Sequence, residues 1–239
     1  MITLELLGGV EIRGVERVNT ERVLVQPKLV ALLAYLSLAG ADGRHQRRDQ
    51  LVALLWPELD QAHARTALRK AIYVIRACLG AEALLSRGDE ELLLAPNIVA
   101  CDAVAFRSDV DGGFLARALE RYRDDLMPGF HLNDCAEFER WLDAERTDLR
   151  ERAGAASLAL AQMFEKDSAI TIAMRWARRA ARVAWDDERI LRRAIALLDR
   201  AGDRSGALRL YDEFAGRLKA DFDAEPSPET TALIQQYRR

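Results

Sequence analysis

The chain has 239 residues, half of them apolar and 31% charged, with a formal net charge of −3. That is ordinary globular composition with room for two domains, and the acidic balance argues against a chain that is basic throughout. The three cysteines, Cys78, Cys101 and Cys135, are odd in number and far apart, which argues against a disulfide framework and fits a reducing compartment.

Net charge conceals an uneven distribution. Residues 44–87 carry eight basic side chains against four acidic ones, a local basic patch on an acidic protein. No charged-then-apolar leader and no apolar run of membrane-spanning length is seen, so a cytoplasmic protein without membrane contact is expected.

In chain order, "ITLELLGGVEI" alternates and turns at Gly8-Gly9, which predicts strands. "RVLVQP" predicts a further short strand ended by Pro27. "PKLVALLAYLSLAG" predicts a helix, with Pro27 in its first turn and Gly40 at its end. "RRDQLVALLWPELD" predicts a second, shorter helix stopped by Pro57. Asp60 is a credible cap for a third helix, "ARTALRKAIYVIRACLG", which ends at Gly80. Then Leu84-Leu85 and Leu92–Leu94 flank a Gly88-Asp89 turn, a hairpin signal. Three helices followed by a hairpin make the layout of a winged helix, in which the second helix of the helix-turn-helix enters the major groove.

From about Ile98 the text is almost wholly helical. Helices are predicted near 114–125, 135–166, 168–184, 187–201, 204–222 and 228–238, with a break inside the long second one left open. "AMRWARRAARVA" from Ala173 and "ALRLYDEFAGRL" from Ala207 begin 34 residues apart, the period of tetratricopeptide helix pairs. In that register Ala180 meets Phe214, and one repeat earlier Leu160 maps to Ala194 and Phe164 to Leu198. The fold class predicted is therefore mainly α: an N-terminal winged helix-turn-helix followed by tetratricopeptide-like repeats.

Catalytic chemistry finds no support. His45, His63 and His131 lack metal-ligand spacing, and neither a Gly-rich phosphate loop nor a nucleophile elbow occurs. No cofactor, no metal and no enzymatic activity are expected. Trp56, Trp141, Trp176 and Trp185 read as packing anchors.

Several stretches together carry a resemblance: "LLAYLSLAGADGRHQRRDQLVALLWPELD", "ALLSRGDEELLLAPNIVACDAVAF", "ALERYRDDLMPGF", "FERWLDAERTDLRERA" and "ALRLYDEFAGRLKADFDAEPSPET". In this order and spacing the whole chain resembles the bacterial transcriptional activator domain family of antibiotic-regulatory-protein type. The resemblance implies an OmpR-like winged-helix DNA-binding domain over residues 1–97 and a tetratricopeptide-like activator domain over 98–239. It also implies a DNA-binding transcription activator that binds direct repeats of double-stranded DNA as side-by-side pairs. Contact with RNA polymerase is implied through the loop Pro57, Glu58, Leu59, Asp60 and Gln61.

The candidate DNA face follows from spacing. Arg65, Arg69, Tyr73 and Arg76 recur at intervals of four, four and three, beside the apolar stripe Leu68, Ile72, Ile75 and Leu79; Thr66 and Lys70 adjoin them. Arginine suits phosphate and guanine because its guanidinium donates in a planar fork. Arg47 and Arg48, opening the second helix, are candidate phosphate contacts, and so is Arg87 at the hairpin tip. Arg65 has a second reading, pairing with Glu58 or Asp60. Relatives carry an arginine-rich end to this helix where the present chain reads "YVIRA". A second function therefore stays open: a protein-interaction adaptor, or the N-terminal module of a larger regulator, with weak or lost DNA binding.

Overall fold

The computed structural model describes residues 1–238. Strands β1 (Ile2–Glu5) and β2 (Glu11–Arg13) pair antiparallel, with Leu4 opposite Ile12. Alternation turns Ile2 and Leu4 to the buried side.

The stretch predicted as a third strand belongs instead to a helix, α1 (Arg17–Leu24). Val23 and Val25 suggest extended chain. Helix wins because Thr20 and Val23 are buried three residues apart and Arg17 pairs with Glu21 one turn on. Pro27 disfavours helix at the residue before it, and Gln26 is extended. The chain breaks there and restarts as α2 (Pro27–Ala39), which buries Leu29, Leu32, Leu33, Leu36 and Leu38 and forms the centre of the winged helix.

Strand β3 (Gln46–Arg47) leads into α3 (Arg48–Leu55), which stops at Trp56 ahead of Pro57. Helix α4 (Gln61–Leu79) is capped by Asp60, whose carboxylate accepts from the amides of Ala62 and His63, both at 3.0 Å. It ends at Gly80, whose φ of +101° suits glycine. Strands β4 (Leu84–Arg87) and β5 (Glu91–Leu94) form the predicted hairpin, with Ser86 opposite Leu92. Strand β3 adds to the other edge of β5, so the wing has three strands in the order β3-β5-β4.

Strand β6 (Val99–Cys101) runs parallel to β1 and completes a second sheet, β2-β1-β6. The boundary expected after residue 97 thus falls just ahead of a strand of the N-terminal sheet. Asp102 opens α5 (Asp102–Asp111), and its buried carboxylate accepts from the amides of Leu6 at 2.8 Å and Leu7 at 3.1 Å. These close two backbone donors that would otherwise be orphaned. Burial nevertheless lifts the Asp102 pKa above the ordinary carboxylate value.

The chain divides into two compact units: Met1–Asp109 with Glu120–Arg146, and Val110–Leu119 with Thr147–Arg239. Helix α6 (Leu115–Arg121) and the unbroken 31-residue α7 (Ala136–Lys166) contribute to both. In the first unit, Tyr35 meets Trp141 edge to face at 4.9 Å. Arg146 there closes the carbonyls of Leu126, Met127 and Phe130.

The second unit contains α8 (Ile170–Val183), α9 (Glu188–Arg200), α10 (Arg204–Phe222) and α11 (Pro228–Arg238). Helices α8 and α10 start 34 residues apart, in step with the sequence period, and α9 packs against both. Ala173, Ala177 and Ala181 join Leu191, Ile195, Leu198, Leu210 and Phe214 in one core. The fold is mainly α, a winged helix-turn-helix followed by helical repeats.

All three cysteines are buried and free; burial pushes the Cys101 thiol up to about 12. Among the described residues no single helix is long and apolar enough to cross a membrane.

Candidate nucleic-acid interface

Helix α4 is amphipathic in the sense the spacing predicts. Ala64, Leu68, Ala71, Ile72, Ile75, Cys78 and Leu79 are buried. Each large member stabilises this docking by roughly 1.5–3 kcal/mol. Arg65, Thr66, Arg69, Lys70 and Tyr73 lie on the other side, Tyr73 exposed at 73%.

The cations on that side are not equivalent. Arg65 donates from Nη2 to Asp49 Oδ1 of α3 at 3.0 Å. Neither acid of the preceding loop takes it, because both are engaged: Glu58 pairs with Lys28, while Asp60 holds the helix amides and the His63 ring at 2.6 Å. Arg69 meets only a neutral partner, the hydroxyl of Thr66 at 3.0 Å, which itself donates to Ala62 O. Lys70 and Tyr73 have no hydrogen-bond or ion-pair partner among the described residues.

Arg76 is turned to a different task. Its Nε and Nη2 donate to the Leu84 carbonyl at 3.1 and 2.7 Å, and Nη2 also reaches Ser86 Oγ at 3.0 Å. It ties the C-terminal half of α4 to the edge of β4. Ser86 also accepts from Arg48 Nη2 at 3.2 Å. Sequence reasoning does not single out Ser86. The period of two along β4 is the available signal, because it puts Ser86 on the same face as Leu84.

Of the other candidates, Arg87 pairs across the hairpin with Glu91. Arg47 lies in β3 opposite Glu91, and its side chain is exposed and forms no ion pair among the described residues. The Arg48 amide donates to the Glu90 carbonyl at 2.8 Å. Its Nε is buried and lacks a hydrogen-bond partner. Between α3, α4 and the wing turn lies a cleft of about 580 Å³, lined among others by Arg48, Asp49, Arg65, Arg69, Asp89 and Glu90. Three cations and three anions share it.

The Pro57–Gln61 loop presents an exposed Leu59 between two acids. The hydrogen bond from Lys28 holds the Glu58 carboxyl below the usual range. Hydrogen bonds from the His63 amide and ring do the same for Asp60. Both stay anionic at neutral pH. Lys28 also lies over the Trp56 ring at 5.7 Å, so the loop is braced at its N-terminal end. Among the described residues no group of three or more His, Cys, Asp and Glu side chains is arranged to hold a metal.

No curated protein matches the sequence. The structure of Mycobacterium tuberculosis EmbR in complex with a low affinity phosphopeptide is similar over the whole of this chain, with a TM-score of 0.63 and 21% identity. The chain spans 64% of that protein's length, and the likeness is one of fold. The sequence matches the bacterial transcriptional activator domain over residues 112–238. The chain therefore belongs to the bacterial transcriptional activator domain family.

Proposed function

We propose that this chain is a DNA-binding transcription activator whose α4 lies in the major groove of double-stranded DNA. The observation that carries this is the exposed run Arg69, Lys70 and Tyr73, on a helix whose other side is buried and which stands beside a three-stranded wing. A helix so presented fits the groove, arginine reads guanine edges or phosphate, and lysine and tyrosine reach the backbone. Arg47 adds a cation at the start of α3. Membership of a transcriptional activator family supports the reading.

On this reading residues 1–97 carry DNA recognition and residues 98–239 carry the activating contacts. The Pro57–Gln61 loop, with exposed Leu59 between anionic Glu58 and Asp60, is offered to RNA polymerase. Two copies bind side by side on direct repeats. Transcription places the protein in the cytoplasm, without catalytic activity of its own.

The test begins with DNA fragments selected by the protein from a random pool. Against a selected duplex, Arg69→Ala with Lys70→Ala is expected to weaken binding by about tenfold or more. The salt dependence should become shallower by about one for each phosphate that the variant no longer neutralises. Binding unchanged by that pair overturns the groove assignment. The adaptor reading is favoured by one observation: Arg65 and Arg87 are both neutralised by carboxylates of the same chain. Absence of any gel shift with duplex at low salt and micromolar protein decides for the adaptor.

A further inference from the structure

Arg65 and Arg69 stand one turn apart on α4 and line the same cleft, yet their partners differ in kind. Arg69 meets a hydroxyl. Arg65 meets the Asp49 carboxylate at 3.0 Å, with both side chains about half exposed. Asp49 is in the first turn of α3, the end of a helix at which an acidic side chain is stabilising. Asp89 and Glu90 of the wing turn line the same cleft and disfavour the entry of another anion.

We propose that Asp49 is a built-in competitor for Arg65, withholding that guanidinium from DNA phosphate and thereby setting how tightly the chain holds DNA. This rests on the DNA-binding reading above. A carboxylate and a phosphate group ask the same thing of a guanidinium, N–H donors in a planar fork. In the free protein the first is already supplied by the chain, so α4 offers Arg69 and Lys70 to DNA and keeps Arg65 back. Asp49 is a positioning residue: it acts on the nucleic acid only through Arg65.

The experiment measures binding of the full chain to a labelled random-sequence duplex over a range of salt. Asp49→Asn is expected to tighten binding by about fivefold at low salt, the upper end for freeing an exposed ion pair. The slope of log affinity against log salt is expected to steepen by about 0.9, one more phosphate neutralised. Asp49→Glu, which keeps the charge, is expected to behave as the parent. Glu137→Gln removes the same charge from an exposed pair with Arg140 and is expected to change affinity less than about twofold. Melting temperatures of each variant separate loss of folding from change of binding.

The gain must also depend on Arg65, so Asp49→Asn in an Arg65→Ala background is expected to give none. If the parent binds duplex and Asp49→Asn leaves affinity and slope unchanged, the proposal is wrong. It is equally wrong if the gain persists without Arg65 or is matched by Glu137→Gln. If neither the parent nor Asp49→Asn binds duplex, the DNA-binding reading itself has failed.

Discussion

Helices α4 and α8 each bury one side, and they do it with opposite materials. Helix α4 presents Leu68, Ile72, Ile75 and Leu79 to its core, whereas α8 buries only Ala173, Ala177, Ala180 and Ala181. Large side chains on α4 supply volume themselves and fill the space between it and the helices it rests on. Small ones on α8 let the neighbouring helices come close, and the volume comes from the other side, from Leu191, Ile195, Leu210 and Phe214. The same principle appears at Gly154, where an added Cβ would lie 2.5 Å from the Ala184 Cβ. The two regions should therefore fail in opposite ways, the first when a side chain is shortened and the second when one is lengthened.

The largest expected effect is at α4. Leu68→Ala, at a position 2% exposed, is expected to lower stability by about 2–5 kcal/mol, read as a fall in the urea midpoint. Next comes Ala177→Leu in α8, a fully buried position, expected to cost about 1–3 kcal/mol by overpacking. Hydrogen exchange should place its damage in α8 to α10. If Ala177→Leu is tolerated while Leu68→Ala is not, the close-approach account of the repeats is wrong. A smaller effect is expected from Asp187→Ala. Asp187 caps α9 by accepting from the amides of Arg189 at 2.8 Å and Ile190 at 3.3 Å, and its loss should cost about 1 kcal/mol.

The smallest effect is in pH dependence, and there too the regions diverge. Burial pushes the Glu188 carboxyl up, but hydrogen bonds from Ser227 and Thr230 and the nearby Arg192 outweigh it and hold the pKa below its ordinary 4.5. A lowered carboxylate stabilises the fold above the unfolded value and loses that contribution as pH falls through the folded one. Asp102 is the reverse case. Burial raises its pKa above 3.8, so its contribution is present below that value and is lost as pH rises through the folded one. Acidification below about pH 4.5 is expected to loosen α11 before the N-terminal sheet, measured by hydrogen exchange at Thr230 and at Leu6. Glu188→Gln should flatten the response at Thr230.

How much of the molecule is legible in its sequence follows from the range of each interaction. Helices α2, α3 and α4, the β4–β5 hairpin and the 34-residue repeat rest on local spacing and punctuation, at Pro27, Pro57, Asp60 and Gly80, and each is predicted. Helix α1 reads as a strand because Val23 and Val25 favour extended chain locally, while the burial of Val23 that settles the matter is tertiary. Strands β3 and β6 are two and three residues long, too short to show alternation. They exist because β5 and β1 offer edges, and β6 meets β1 almost a hundred residues away. The exposed side of α4 is legible for the same reason as its buried side. What each arginine touches is not, since Asp49 and Leu84 reach Arg65 and Arg76 from other elements.

The tie between Arg76 and β4 has a mechanical consequence. Three hydrogen bonds hold α4 to strand β4 of the wing, so a shift of the helix relative to the wing has to break them. If α4 and the wing both meet DNA, as proposed, the duplex would have to match the offset between them, and a bend or shift that suited the helix alone would pull it off the wing. On the proposed DNA-binding reading, that offset would make the chain sensitive to the shape of the duplex as well as to its bases.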